Sequence, residues 1–527
     1  MKPFDANGAF IGTPTGELRR LAVRGAGASV LGQGVAFAVQ LGATVFLARL
    51  LAPGDFGVVT MVTTFSLLLM SFGLTGFTDA ILQRDEIDHF LVSNLFWINV
   101  IGGFVLAAGF AAAGPLLARF YGDRRVAGVA VAISGTIFLT SISVQHLALL
   151  KRAMRFSVVS MNDVIARSAA VAISILLAWR GWGYWALVAG IIAQPLSVSL
   201  GAWMCCRWIP GLPKRVAGTD SMVRFAMNTY GRFTLNYAAR NMDNLLVGRF
   251  FGSQALGFYK KAYDLFLLSA SQLVTPLNEV AVSTLSRSKA NWARYKENFL
   301  TVFSVLAFVG MGLGAALTLV GKDLVLLLLG PKWDQSGRIF TFFGPGIGIV
   351  FLYTTHSWIH LSIGTPHRWF RWGIIEFIFT GLLFVLLLPL GPIGLATAWT
   401  ASLWILIIPA FWYAGRPIGL DIAPLIGAVW KYVVACLLAG GTVLWTARAL
   451  PSSWMQHVME RIGIMSSMFA VLYIAAVVLL HRGWAPVKQV VALLQEFKPS
   501  KRVQRRMAGL ATDVGTDNVA ASVSARR

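Results

Sequence analysis

The chain has 527 residues, of which 57% are hydrophobic and only 13% are charged, and its net charge is +23. An ordinary soluble domain carries about 25% charged residues, so this composition excludes a soluble globular protein. Apolar runs of about 20 residues, the length that spans a bilayer, recur along the chain. They predict an all-α polytopic membrane protein with about fourteen transmembrane helices. In chain order the predicted helices cover residues 28–49, 56–80, 90–113, 126–148, 161–179, 184–206, 222–248, 255–280, 298–320, 339–361, 369–389, 392–413, 424–447 and 462–481.

Basic residues cluster between alternate predicted helices and at both ends of the chain. Cytoplasmic loops of membrane proteins carry an excess of Lys and Arg, and this rule places both termini in the cytoplasm. The basic groups on that side also favour contact with anionic membrane lipids. Nucleic acid is not an expected partner, because no basic surface interleaved with aromatic residues lies outside the predicted helices. The cytoplasmic clusters include Arg19, Arg20 and Arg24, Lys151, Arg152 and Arg155, Lys214 and Arg215, and Lys498, Lys501 and Arg502.

The seventh predicted helix carries a stripe of polar side chains. Charged side chains at bilayer depth are costly and normally face a bundle interior or a water-filled cavity. An ion-pair network that packs this helix against a neighbour is the alternative, and Asp243 can pair with Arg240. Two arginines with one nearby acid leave an uncompensated positive charge, however, which favours a cationic cavity for an anionic ligand. Successive members of the stripe are four, four, four and three residues apart, which places them on one face of a helix. They are Asn228, Arg232, Asn236, Arg240 and Asp243.

Two short segments match at an offset of 200 residues, LARLLAPGDFG at 47–57 and VGRFFGSQALG at 247–257. Each segment ends one helix with Arg, makes a short turn and opens the next helix with Gly. Six predicted helices separate the copies, and an even number gives both halves the same orientation, so the repeat is parallel. Chance similarity between two Arg-Gly turns is the alternative. At this offset Arg49 corresponds to Arg249, Gly57 to Gly257, and Gly32, Gln40 and Ala43 to Arg232, Arg240 and Asp243.

The repeat predicts two six-helix lobes and an additional helix pair. In transporters of this design the substrate binds between the lobes, and one lobe rocks against the other to give alternating access. The lobe boundary is expected in the basic segment at 207–220. The predicted domains are an N-terminal lobe at 1–210, a C-terminal lobe at 211–416, a helix pair at 417–482 and a basic, disordered tail at 483–527.

Further charged residues in the predicted helices are secondary candidates for the cavity or for ion coupling. Asp163 and Arg167 are spaced as an intrahelical pair, which explains them as well as a place in a cavity wall. Glu376 lies near the middle of a predicted helix, where a carboxylate either pairs or carries a proton. Asp79 and Glu279 lie near helix ends, where simple hydration is an adequate alternative.

The chain has no catalytic or cofactor-binding motif, so we do not expect an enzyme. It contains no GxSxG elbow, no Walker loop and no HExxH helix. Its three cysteines lack the spacing of a metal site or of a disulfide framework. We expect no metal and no cofactor. Without a Walker loop, active transport would use an ion gradient or the gradient of the substrate.

Segments within the first eight predicted helices resemble the Wzx-type polysaccharide flippases, the WzxC-like branch of the multidrug/oligosaccharidyl-lipid/polysaccharide exporter (MOP) superfamily. The resemblance implies a fold like that of the MATE and MurJ transporters and a place in the bacterial inner membrane. The segments are FLARLLAPGDFGVVTM at 46–61, GLTGFTDAILQRDE at 73–86, ALLKRAMRF at 148–156, GWGYWALV at 181–188 and RNMDNLLVGRFFGSQALGFYKKAYDL at 240–265.

The resemblance also implies a function. Such proteins move an oligosaccharide repeat unit on undecaprenyl pyrophosphate from the cytoplasmic to the periplasmic leaflet, for exopolysaccharide, capsule or O-antigen. A polymerase and a co-polymerase act afterwards and are possible partners. Arg232 and Arg240 would then hold the pyrophosphate. An ion-coupled exporter of drugs or of another lipid-linked substrate is the alternative, and an exporter of cationic drugs predicts an acidic cavity. A membrane glycosyltransferase or polymerase would need a large outward loop with catalytic acids, which the predicted topology lacks.

Overall fold

The computed structural model describes residues 1, 3–11, 15–84, 86–214, 219–449 and 457–496. These residues form helices and connecting turns, and two isolated bridges are their only β structure. The α-helices are α1 (Thr15–Leu50), α2 (Pro53–Gln83), α3 (His89–Ala112), α4 (Gly114–Tyr121), α5 (Arg125–Arg152), α6 (Phe156–Trp179), α7 (Tyr184–Cys205), α8 (Thr219–Arg287), α9 (Trp292–Leu329), α10 (Asp334–Tyr353), α11 (His356–Ile363), α12 (Pro366–Leu387), α13 (Gly391–Gly415), α14 (Ile422–Ala449), α15 (Val458–Leu480) and α16 (Ala485–Glu496).

Eleven stretches of the described residues are long and apolar enough to cross a membrane. One of them, Pro366–Ile418, contains both α12 and α13. No part of α8 is among the eleven, and many of its side chains lie outside the described residues. The predicted all-α membrane fold is confirmed, whereas the number of fourteen spans stays a prediction.

The segment α8 contains the two helices that the sequence predicted at 222–248 and 255–280, joined at a kink. Its backbone breaks at Gly252, where φ is 78° and ψ is −178°, in the left-handed region that favours glycine. We name the arm before this kink α8a (219–251) and the arm after it α8b (253–287). We call the end of the bundle that contains the kink the Gly252 end, and the opposite end, where α7 finishes beside Met1, the Met1 end.

The two halves of the chain pack their helices in the same order. In the first half, α2 and α3 pack on α5, α5 packs on α7, and α6 contacts α1 and α7. In the second half, α8 and α9 pack on α10, α10 packs on α13, and α12 contacts α8 and α13. A parallel repeat produces this correspondence. The domain boundaries at 210 and 416 stay predictions.

The two halves meet at the Gly252 end through the repeated glycines. A Cβ atom on Gly57 would lie 1.6 Å from the carbonyl oxygen of Ser253, and one on Gly257 would lie 1.8 Å from that of Pro53. Pro53 and Ser253 are themselves separated by 200 residues, so the contact is reciprocal. Only residues without a side chain allow α2 and α8b to approach so closely. The repeated Gly found in the sequence is therefore the point where the two halves touch.

Further contacts close the Gly252 end, and they too come in corresponding pairs. Arg49 donates hydrogen bonds to the carbonyl oxygens of Leu327 (2.8 Å) and Leu328 (3.3 Å) at the end of α9. Its repeat partner Arg249 lies over the ring of Phe120 on α4, 5.7 Å from the ring centroid. Both arginines thus reach across to the other half, but only Arg49 does so through hydrogen bonds.

The residues next to these arginines repeat the pattern. Trp333 donates its indole N–H to the carbonyl oxygen of Ala48 at 2.8 Å. Gly248, at the corresponding position, lies against Tyr121, whose ring carbon is 2.8 Å from where a Cβ would be. Trp333 and Tyr121 are both buried. Each half therefore places one large aromatic side chain on the first helix of the other half.

The helices after the repeat pack on the second half. Both α14 and α15 contact α9, and Arg461 donates two hydrogen bonds to Asp323, at 2.5 and 3.1 Å. Residues 485–496 form α16, so the predicted disorder of 483–527 is wrong for this part. The sequence of α16 contains the apolar run VVALL at 490–494, and the helix contacts α9 and α15. Residues 497–527 lie outside the described residues.

Candidate functional site

The polar stripe predicted on the seventh helix lies on α8a. The side chains of Arg240 and Asp243 are described, and they lie between 12 and 9 residues before the kink, or about 18 to 14 Å along the helix axis. The side chains of Asn228, Arg232, Asn236 and Glu279 lie outside the described residues.

Asp243 is completely buried and joins three helices. Its carboxylate accepts a hydrogen bond from the hydroxyl of Tyr259 on α8b at 2.8 Å and one from the indole N–H of Trp399 on α13 at 3.2 Å. The backbone N–H of Asn244 donates to its other oxygen at 2.7 Å. A buried carboxylate needs such donors. Asp243 therefore anchors α8a inside the second half.

Arg240 and Asp243 do not form the ion pair that their spacing allowed. Asp243 turns towards Tyr259 and Trp399, and Lys260 is the cation that acts on its carboxylate electrostatically. Lys260 is also paired with Asp264, four residues on, at 2.8 Å. The physical reason is the kink at Gly252, after which α8b places the Tyr259 hydroxyl within hydrogen-bonding distance of Asp243.

Arg240 is left exposed on α8a. Among the described residues its guanidinium has no hydrogen bond and no ion pair within 4 Å. Its charge acts on Glu376 of α12 and on Tyr263 of α8b. The helices α8a and α12 pack closely here, because Met242 fills the space beside Gly381. Arg240 is therefore an exposed cation whose charge reaches the carboxylate of Glu376 on a neighbouring helix.

Glu376 interacts electrostatically with residues of two neighbouring helices. The charge of Glu376 acts on Tyr353 of α10, whose hydroxyl accepts a hydrogen bond from the indole N–H of Trp372 at 3.0 Å. The charge of Arg240 reaches the same carboxylate. The structure thus brings together Arg240 and Glu376, which the sequence placed on separate helices without a link.

The remaining described candidates lie in the first half. Asp163 and Arg167 form the expected intrahelical pair on α6, at 2.8 Å, and both side chains are exposed. Asp79 lies towards the Met1 end of α2, where the charge of Lys151 acts on it. Neither group contacts Arg240. In the part of the chain that the structure describes, no group of three His, Cys, Asp or Glu could hold a metal ion.

Sequence reasoning missed the residues that hold the site. Tyr259 and Trp399 are aromatic residues in aromatic-rich helices, and nothing in their local sequence marks them as donors to a carboxylate. A usable signal was the buried acid itself, because an unpaired aspartate on an apolar helix demands donors from its neighbours. Lys260 and Asp264 have the i,i+4 spacing of the ion pair that they form, and this spacing gives no sign that Lys260 also acts on Asp243.

The chain is similar to known proteins of polysaccharide biosynthesis. The family described as "Polysaccharide biosynthesis protein" matches residues 46–338. The teichuronic acid biosynthesis protein TuaB of Bacillus subtilis is 23% identical over 337 residues, which cover 62% of this chain and 68% of TuaB. The lipopolysaccharide biosynthesis protein WzxC of Escherichia coli is 22% identical over 324 residues, which cover 60% of this chain and 65% of WzxC.

The fold has a counterpart among solved structures. The lipid II flippase MurJ in an inward closed conformation superposes with a TM-score of 0.69 at 13% identity, covering 86% of this chain and 98% of MurJ. This likeness confirms the predicted MurJ-like fold, and the sequence relatives confirm the predicted family. Because the family match spans more than half of the chain, the protein belongs to the polysaccharide biosynthesis protein family.

Proposed function

We propose that this protein is an alternating-access flippase in the bacterial inner membrane. It moves oligosaccharide repeat units linked to undecaprenyl pyrophosphate from the cytoplasmic to the periplasmic leaflet, for exopolysaccharide, capsule or O-antigen synthesis. Its relatives TuaB and WzxC are named for teichuronic acid and lipopolysaccharide biosynthesis, and MurJ is named as a flippase of lipid II. These three names are consistent with a transporter of lipid-linked substrates and not with an enzyme.

One observation carries the proposal. Arg240 lies on a helix that packs within the bundle. Its guanidinium has no hydrogen-bonding partner among the described residues. A guanidinium is a permanent cation with forked donors that match phosphate oxygens. Leaving it unpaired is costly unless a ligand binds it. We therefore assign the pyrophosphate to Arg240, with Arg232, Asn228 and Asn236 of the same stripe as further cavity residues.

The site also contains acids, which have different roles in the proposal. Asp243 positions α8a through Tyr259 and Trp399, and does not touch the substrate. Glu376 competes with the pyrophosphate for Arg240, so it helps to release the anion. A carboxylate in this position is also a candidate for ion coupling. Asp79, Glu279, Asp163 and Arg167 stay secondary candidates for the cavity wall or for coupling.

The topology completes the proposal. With both termini in the cytoplasm, as the distribution of Lys and Arg predicts, the Met1 end faces the cytoplasm and the Gly252 end faces the periplasm. The contacts through Gly57 and Gly257 then close the periplasmic side. A polymerase and a co-polymerase that use the delivered repeat unit are the proposed partners.

The experiment is polymer export in cells whose own flippase gene is deleted. We expect Arg240→Gln to abolish export while the protein remains in the membrane at normal amounts, because the pyrophosphate loses its cation. The matched control is Arg338→Gln, which removes an exposed arginine that pairs with Asp334 at the surface and is expected to leave export unchanged. Normal polymer from the Arg240 variant would refute the assigned site.

A further inference from the structure

Lys261 on α8b is a buried cation that the proposed site does not use. Its side chain is only 9% exposed. Within the described residues its ammonium has no hydrogen bond and no ion pair, although such a group has three donors. Asp264, one turn further on, is already paired with Lys260 at 2.8 Å. A buried ammonium without an acceptor is costly, which indicates that another state of the protein supplies one.

The group that covers Lys261 comes from the other half of the chain. The Lys261 ammonium lies 4.3 Å from the centre of the Phe56 ring on α2. Phe56 is itself buried, and packs edge-on against Trp333 at 5.4 Å. The cover is therefore part of the same contact that Gly57 and Gly257 close. When α2 and α8b separate at the Gly252 end, Phe56 must leave Lys261.

The repeat shows that this charge is not required by the fold. The residue 200 positions earlier is Met61, which is completely buried on α2. Methionine and lysine have unbranched side chains of similar length, so the same backbone position accepts either. Lysine in the second half thus adds a positive charge where an apolar side chain would pack without cost.

The position of Lys261 relates it to Arg240. It lies nine residues after the kink, about 14 Å along α8b, and Arg240 lies twelve residues before it, about 18 Å along α8a. The two cations are on adjacent arms, at depths that differ by roughly one helical turn. In this structure Arg240 is exposed and Lys261 is covered.

We infer that Lys261 is a second binding site for the pyrophosphate group, available only when the Gly252 end opens. Phe56 covers the ammonium while that end is closed and Arg240 holds the anion. Separation of α2 from α8b exposes Lys261 on the side from which the substrate leaves. The anion then moves from one cation to the next without crossing an apolar stretch. This inference rests on the proposed function, in which the ligand is a pyrophosphate.

The experiment measures binding of inorganic pyrophosphate to the full-length protein in nanodiscs of phosphatidylcholine. Gly57→Val serves to open the Gly252 end, because any Cβ there meets the Ser253 carbonyl oxygen at 1.6 Å. Its matched control is Gly54→Val on the same helix, where a Cβ meets nothing within 4 Å. With the Gly57 change present, we expect Lys261→Met to weaken binding about tenfold, the effect of losing a charged hydrogen bond. Without it, we expect no effect of Lys261→Met.

The outcomes separate this inference from the proposed function. If Lys261→Met has no effect in the Gly57→Val protein while Arg240→Gln weakens binding in wild type, the second site is refuted and the function stands. If Arg240→Gln has no effect either, the proposed function fails. Lys332→Met, which removes an exposed lysine at the same end, is expected to change nothing. If phosphatidylglycerol in the discs weakens pyrophosphate binding to the Gly57→Val protein, but not to the Gly57→Val protein that also carries Lys261→Met, Lys261 binds ordinary lipid headgroups and its substrate role is refuted.

A second measurement does not depend on the valine variant. In a chain whose three cysteines are replaced by serine, Lys261→Cys is exposed to a membrane-impermeant maleimide outside the cell. The cells keep a wild-type copy of the gene, so that polymer export continues, and in them we expect the Lys261→Cys chain to be labelled. When each variant is the sole copy, we expect Lys261→Arg to support export and Lys261→Met not to. Absence of labelling in exporting cells would show that residue 261 is never uncovered and would refute the inference.

Discussion

The helix α2 and the arm α8b occupy corresponding positions in the two halves, but their side chains differ in charge. In α2, the hydroxyls of Thr60 and Thr64 donate to carbonyl oxygens of their own helix, at 2.8 Å each. At the corresponding positions of α8b, Lys260 and Asp264 form an ion pair. The preceding helices, α1 and α8a, differ in the same way. Ala43 of α1 packs in an apolar core, whereas Asp243, at the corresponding position of α8a, accepts hydrogen bonds from Tyr259 and Trp399.

This difference shows which properties of a repeat are structural and which are functional. The packing order and the glycine contact occur in both halves, since they hold the bundle together. Arg240, Asp243 and Lys261 occur only in the second half, where the first half has Gln40, Ala43 and Met61 at the corresponding positions, so the shared fold does not require charges there. Function is carried by a site placed on a fold, and not by the fold itself. Three predictions test this view, beginning with the largest expected effect.

The first substitution removes the buried acid of the second half. We expect Asp243→Ala to lower the free energy of unfolding by about 2–5 kcal/mol, because the Tyr259 hydroxyl and the Trp399 N–H lose their acceptor in a buried place. Denaturation of the purified protein in detergent measures this. Asp264→Ala, on the same hairpin but partly exposed, is the control and is expected to cost about 1 kcal/mol or less. Equal losses would contradict the role of Asp243 as the buried anchor.

The second substitution compares the two repeated arginines. Arg49→Gln is expected to cost about 1–2 kcal/mol, because two hydrogen bonds to the end of α9 are weakened. Arg249→Gln is expected to cost less than about 1 kcal/mol, because Arg249 makes only ring contacts among the described residues. The same denaturation experiment measures both variants. If Arg249 proved the more important of the two, the closed end would not be held as described.

The third prediction concerns pH and has the smallest effect. Arg125 donates two side-chain hydrogen bonds to Asp123, at 3.0 and 2.7 Å, and a third to Ser253 of the other half at 3.1 Å. The hydrogen bond from Arg125 holds the pKa of Asp123 below its ordinary value of 3.8. A lowered pKa in the folded state contributes stability above pH 3.8, and this contribution is lost as the pH falls through the folded value.

The size of this effect is limited by solvent. The Arg125 side chain is 43% exposed, so the pair is worth less than about 1 kcal/mol. We expect the difference in unfolding midpoint between wild type and Asp123→Asn to shrink as the pH falls from about 6 to about 3. A difference that stays constant over this range would show that the pair contributes nothing through its charge.

Hydropathy and spacing predicted the helices and the repeat, because both depend on local sequence. The partners of Asp243 could not be predicted in this way. Helical spacing says that Arg240 and Asp243 share a face, but not which neighbouring helix supplies a better donor. That depends on the kink at Gly252, where φ is 78°, after which α8b places Tyr259 beside the acid. The sequence showed only a glycine in a short turn.

The reciprocal contact of Gly57 and Gly257 has a consequence for how this chain can change over evolution. In a symmetric dimer, an isologous contact joins the same surface patch of two subunits about a two-fold axis. Gly57 and Gly257 make a contact of this kind between the two halves of one chain. A side chain introduced at either glycine pushes against the backbone of the other half. The two codons, 200 positions apart, are therefore constrained together, and neither half can accept a new residue there until the other half has moved away.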